Sequence, residues 1–127
     1  MMKKAKLLWM DLEMTGLDPE KDRILEVAAI ATDWQFNIID KMTAVVRVPE
    51  QLIEKRMVGK FWEIHKEARE ALVKQNVDGL ESSMVEKQIL KFIEKNFGKE
   101  VYLAGNSIHQ DKRFIVKEWP ELDHKLH

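Results

Sequence analysis

The stretch "WMDLEMTGLDPEKDRILEVAAIATD", residues 9–33, begins with an apolar run into which two acids are set, Asp11 and Glu13. Leu7, Leu8, Trp9 and Met10 follow one another without a polar break, the pattern of a central strand covered on both faces. Residues two apart on a strand point the same way, so the two carboxylates share a face and repel one another. Acids in such a place are costly unless something compensates them. They are either salt-bridged or solvated at a strand end, or they hold a divalent cation. Mg²⁺ takes hard oxygen ligands, commonly a few carboxylates together with substrate phosphate oxygens.

Outward from this stretch, Gly16, Asp18 and Pro19 turn the chain. Residues 23–32 (RILEVAAIAT) read as a second strand and 36–48 as a third, with a polar hairpin at 33–37 between them. Three antiparallel strands therefore open the domain. Pro49 starts a helical half, with a short helix over 50–57 and a longer, charged one over 61–74. Ser83 and Glu86 form a capping box ahead of Val85, Ile89, Phe92, Ile93 and Phe97, whose spacing predicts an amphipathic helix ending at Gly98. Residues 101–104 (VYLA) are a short buried strand. The Gly105 and Asn106 turn leads to a helix from about 109 to 118, and Pro120 opens a last helical turn. This order predicts an α/β architecture, a sheet with helices packed on it.

At 127 residues the chain is long enough for a single domain, 1–127, and too short for two. Its 21 basic and 22 acidic residues give a net charge of -1, so no overall positive field grips long nucleic acid; a nucleic-acid partner is expected to be short or locally held. With no cysteine, disulfides and thiolate metal sites are excluded, and a reducing cytoplasm suits the chain. Neither a signal peptide nor a membrane-length apolar run is evident, so a soluble cytoplasmic protein is expected.

A third acid, Asp111, lies in "YLAGNSIHQDKRF", residues 102–114, at the first turn of a predicted helix. Alone it is an ordinary helix-start residue favoured by the macrodipole. Taken with residues 9–33, however, "LAGNSIHQDKRFI" and the following "KEWPELDHKLH" resemble the oligoribonucleases, DEDDh-type 3′-to-5′ exoribonucleases with a ribonuclease H-like fold. The likeness is strongest at the two ends and weak over residues 50–98.

By position, the resemblance implies that Asp11, Glu13 and Asp111 bind two ions, Mg²⁺ or Mn²⁺. One ion activates water against the 3′-terminal phosphodiester of a very short RNA, and the other stabilises the leaving oxygen. Leu17 matches the residue that wedges beside the bases; the alternative is a turn leucine tucked into the core. Asn106 and Ser107 match the segment that orders the second motif and caps a terminal phosphate; alternatively they serve the turn and cap the helix. "KFWEIHKEAREAL", residues 60–72, offers Trp62 and His65 for stacking on a base, at a spacing different from the family's; alternatively, with Phe61, they cover the core. The resemblance also implies a homodimer.

One departure is large. The family's fourth aspartate and general-base histidine belong to a third motif, which has no counterpart in residues 1–127. His65, His109, His124 and His127 sit in no such motif and are expected at the surface. The likeness therefore covers about the first two thirds of an oligoribonuclease, the fold is expected to be C-terminally incomplete, and weak or absent turnover is expected of residues 1–127. Two other readings are a non-catalytic module binding metal or short RNA or joining subunits, and a haloacid dehalogenase-type phosphatase. In the latter Asp11 is the nucleophile and Thr15 a phosphate contact.

Overall fold

The structure is a computed structural model that describes residues 4–127. Strands β1 (Ala5–Met14), β2 (Ile24–Thr32) and β3 (Ile38–Val45) are followed by helices α1 (Glu50–Arg56), α2 (Lys60–Ile64), α3 (Lys66–Asn76) and α4 (Ser82–Asn96). Strand β4 (Phe97–Ala104) and helices α5 (Ile108–Glu118) and α6 (Pro120–Lys125) complete the order. The four strands lie in the order β3-β2-β1-β4. β1 and β2 pair antiparallel, as do β2 and β3, whereas β4 runs parallel to β1 with Leu8 beside Leu103 and Trp9 beside Ala104. The mixed sheet that opens with three antiparallel strands is as predicted.

β1 is central because it has a partner on each edge, but its faces are not equally covered. Leu8, Met10 and Leu12 are buried in the core, together with Val85, Ile89, Phe114, Ile115, Trp119 and Leu122 of the helices. Leu7 and Trp9, on the other face, are only half-buried. There Trp9 meets the Phe36 ring edge-on at 5.4 Å and donates from Nε1 to Thr32 Oγ1 at 2.9 Å.

Several sequence expectations change, among them the end of the amphipathic helix, where Phe97 opens β4 instead. Phe36 belongs to the hairpin, not the third strand. Asp33 Oδ1 accepts from the backbone N–H groups of Gln35 and Asn37 (both 2.9 Å), and this Asx turn holds Phe36 at a φ of 68°. The charged helix over 61–74 is broken at His65 into α2 and α3. From α3, Arg69 Nε reaches back to the Met57 carbonyl oxygen at 2.7 Å, tying the second piece to the end of α1. The Ser83 capping box does not form. Glu81 is the N-cap of α4 without a side-chain cap bond, and Glu86 instead accepts from the backbone N–H groups of Glu121 (3.0 Å) and Leu122 (3.1 Å), capping α6. Among the described residues no helix is long and apolar enough to cross a membrane.

Candidate active site

Because β1 and β4 are parallel neighbours, β4 ends beside Trp9 and delivers the following turn next to Asp11 and Glu13. Gly105 makes that turn at a φ of 140°, where a Cβ would stand 3.4 Å from the Met10 carbonyl oxygen. Only glycine adopts this conformation without strain. Gly105→Ala is therefore expected to cost about 1–3 kcal/mol, read as a lower urea midpoint with an unchanged slope.

α5 then carries Asp111 on its inward stripe with Phe114 and Ile115. Asp111 is only 5% exposed, in a place suited to an apolar side chain. Burial first, then the charges of Asp11 and Glu13, push its carboxyl up to about 6. Glu13 is also raised, by burial, by Asp11, and by Glu26, which faces it across the β1–β2 ladder. Among the described residues no hydrogen bond or ion pair reaches the carboxylates of Asp11, Glu13 or Asp111.

A second kind of acid sits a few residues away. Asp22 is fully buried at its side chain and is clamped by Arg56, whose Nε and Nη2 donate to its two oxygens at 2.8 and 3.1 Å. Thr15 Oγ1 (2.8 Å) and the Asp18 backbone N–H (3.0 Å) donate to it as well. Burial opposes its ionisation, but these bonds, Arg56's foremost, outweigh it and hold the carboxyl below its ordinary range. Gly16 leaves the room: a Cβ there would stand 2.5 Å from Asp22 Oδ2. Thr15, accepting also from the Arg23 N–H at 3.1 Å, is wholly buried and committed to this loop. That removes the phosphate contact required by the phosphatase reading.

The three uncompensated acids open on a groove of about 470 Å³ whose walls include Leu17, Arg56, Phe61, Trp62, Ser107 and Gln110. An adjoining hollow of about 380 Å³ runs past Glu13, Glu26, Trp62, His65 and Gln75. A larger groove of about 800 Å³ elsewhere holds none of the expected site residues. Its two arginines, Arg23 and Arg47, are paired with Glu118 and Glu81.

Leu17 is 76% exposed at the groove, not tucked into the core. Its carbonyl oxygen accepts from Gln110 Nε2 at 3.1 Å. Trp62 is half-buried and packs against the core while also lining the groove. His65 is exposed in the adjoining hollow, its ring 4.5 Å from that of Phe61. Ser107 occupies the N-cap position of α5 without a side-chain cap bond, which leaves its hydroxyl free at the groove. Asn106 is exposed in the turn and is not among the groove walls. His109, His124 and His127 are at the surface, as expected, and among the described residues no histidine lines the acid groove. Sequence reading missed Arg56, Gln110 and Asp22. Arg56 looks like an ordinary basic residue in the last turn of a helix, and nothing local marks it otherwise.

Among the described residues no three acids or histidines are gathered closely enough to enclose a metal ion as they stand. Their chemistry nevertheless fits one. The donors are hard oxygens, and no described residue pairs a cation with them, so a divalent ion would offset their mutual repulsion.

A sequence profile of the exonuclease family (RNase_T) matches residues 8–127. Similar relatives include oligoribonucleases of Photorhabdus laumondii, 38% identical over 95% of this chain and 67% of that one, and of Haemophilus influenzae, 39% identical over 98% of this chain and 68% of that one. The oligoribonuclease of Neisseria meningitidis is 36% identical over 100% of this chain and 68% of its own. The chain thus spans about two thirds of the length of these relatives. Among solved structures, exonuclease I of E. coli in complex with a dA16 oligonucleotide and an apo exonuclease I each align over 87% of this chain and 23% of the other. Both have a TM-score of 0.59, at 16% and 18% identity, a likeness of fold alone. The sequence relatives, matched along almost the whole chain and through both acid motifs, place this protein in the oligoribonuclease family of exonucleases.

Proposed function

We propose that the protein is a 3′-to-5′ exoribonuclease of the oligoribonuclease type, acting on RNAs of a few nucleotides in the cytoplasm as a homodimer. The observation that carries this reading is that Asp11, Glu13 and Asp111 face one groove and, among the described residues, none of them is paired with a cation, whereas Asp22 nearby is paired with Arg56. Asp11, Glu13 and Asp111 would hold Mg²⁺ or Mn²⁺. When bound, such ions supply an activated water and charge stabilisation of the leaving oxygen. The residues of the chain bind and orient the RNA. Leu17 presents an apolar edge beside the bases, Trp62 and His65 offer stacking surfaces, and the Ser107 hydroxyl and the Asn106 turn flank the terminal phosphate. Stacking is worth about 1–3 kcal/mol per base.

Among the described residues, the groove has neither a fourth carboxylate nor a histidine to accept a proton. A general base contributes about 10²- to 10⁴-fold, so residues 1–127 by themselves are expected to bind short RNA with metal yet turn it over weakly or not at all. The test is a time course with a 5′-labelled diribonucleotide and Mn²⁺. It compares residues 1–127, their Asp11→Ala variant, and a chain extended through a third exonuclease motif. Mononucleotide release by the extended chain alone supports the reading. Binding without release by every form favours the non-catalytic module, and failure to bind RNA at all defeats both.

A further inference from the structure

The inward stripe of α5 carries an acid at each end. Asp111, Phe114, Ile115 and Glu118 stand at i, i+3, i+4 and i+7, so all four share one helix face about 10 Å long. Glu118 is the last residue of α5, the end at which the macrodipole disfavours a carboxylate. Its compensation comes from two other elements. At the start of β2, Arg23 donates to it from Nε (3.1 Å) and Nη2 (3.4 Å), and the Ile24 backbone N–H donates at 3.1 Å. Ser82, the first residue of α4, donates to Oε2 and accepts from Trp119 Nε1 at 2.9 Å. The Glu118 side chain is only 11% exposed, so these charge-assisted bonds form a junction nearly closed to water.

The junction lies where it governs the site. Ile24 pairs with Met14, the residue after Glu13, and the Thr15 N–H donates to the Arg23 carbonyl oxygen at 3.0 Å. Glu118 therefore pins the far end of α5 to the same β1–β2 ladder that carries Asp11 and Glu13. At the near end of the stripe Asp111 is repelled by those two acids, and no described residue pairs with it. A small slide or roll of the helix would relieve that repulsion. Phe114 and Ile115 oppose it only by burial, which has no direction, whereas a hydrogen-bonded ion pair does. We infer that Glu118 is the positioning residue for Asp111: by fixing α5 to β2 and α4 it sets the depth at which Asp111 stands in the groove. This rests on the metal-holding reading above and does not make Glu118 a ligand. Its role is to keep three mutually repelling carboxylates together before an ion arrives.

Two double-mutant cycles between Glu118→Asp and Asp111→Asn test this. Glu118→Asp keeps the charge, so the field at the groove is nearly unaltered, but its reach is one methylene short of its partners. Titration of the 127-residue protein with Mn²⁺ is read from the EPR signal of the free ion. Glu118→Asp is expected to bind about fivefold more weakly than wild type, and in the Asp111→Asn background the same change should have no effect. Thermal melts at pH 8 in EDTA supply the second cycle. There the rise in Tm caused by Asp111→Asn should shrink to about half once Glu118→Asp lets Asp111 draw back. Additivity in either cycle would mean that Glu118 only holds the fold together, and would overturn the inference. A wild type without affinity for Mn²⁺ would defeat the metal reading instead, and the melts would then decide by themselves whether Glu118 sets the place of Asp111.

Discussion

Asp111→Asn is expected to weaken Mn²⁺ binding by roughly tenfold to a hundredfold, by removing one of the three anionic oxygens proposed to hold the ion, and at the same time to stabilise the metal-free protein. The second effect follows from the repulsion at the groove. Burial and two neighbouring acids raise the Asp111 carboxyl to about 6 in the folded protein, against about 3.9 in an unfolded chain. A raised carboxyl gives its stabilising contribution in full below the unfolded value and loses it as pH rises through the folded one. Wild type and variant should therefore have similar stability near pH 4, diverge between about pH 4 and 6, and differ by a constant amount above about pH 7. The gap at pH 8 is expected to be on the order of 1–2 kcal/mol in favour of Asn, discounted because Asp11 and Glu13 lie exposed at the groove. Saturating Mn²⁺ should reverse the order by stabilising the wild type selectively. Thermal melts of both proteins at pH 4, 6 and 8, with EDTA and with Mn²⁺, check each arm. A variant less stable than wild type at pH 8 in EDTA would show that Asp111 is a paired structural acid.

Asp22→Ala is expected to have the opposite character, a cost of about 3–5 kcal/mol. Removing this carboxylate strands the Arg56 fork and leaves the Thr15 hydroxyl and the Asp18 N–H without their acceptor. All of these meet at a side chain with no solvent exposure. Because the Asp22 carboxyl is held below its ordinary range, its contribution is present above about pH 4 and is lost as pH falls through the folded value. Urea unfolding at pH 7 and pH 3 should show the gap between wild type and Asp22→Ala shrinking at the lower pH. The same change loosens the loop carrying Leu17 from Arg56 at the end of α1, so affinity for short RNA should fall even where the protein remains folded. A loss under 1 kcal/mol at pH 7 would mean that this loop is held by something other than the Asp22 cluster.

The contrast between Asp22 and Asp111 shows how far sequence reading reached. Asp11 and Glu13 were legible because strand period alone puts i and i+2 on one face, and an apolar run interrupted by two acids breaks a pattern that should otherwise continue. Asp111 was found through its motif but was read physically as a helix-start residue. That it lies inward on the stripe of Phe114 and Ile115 depends on how α5 rests against β1. Asp22 and Arg56 carry no local mark at all. They are 34 positions apart, and their pairing exists only because the loop after β1 closes against the end of α1. Likewise Glu86, placed by its spacing in a capping box with Ser83, caps α6 instead, because tertiary contact offers it two backbone donors 35 and 36 residues away.

The sequence by itself determined the order of the elements, the antiparallel opening of the sheet and the two acid motifs, since each rests on local periodicity or on a contiguous phrase. Only the tertiary structure decided which acids are neutralised and which are not, because compensation of a buried charge depends on what arrives from elsewhere in the chain. Arg56 reaches Asp22, and no other described residue pairs with Asp11, Glu13 or Asp111.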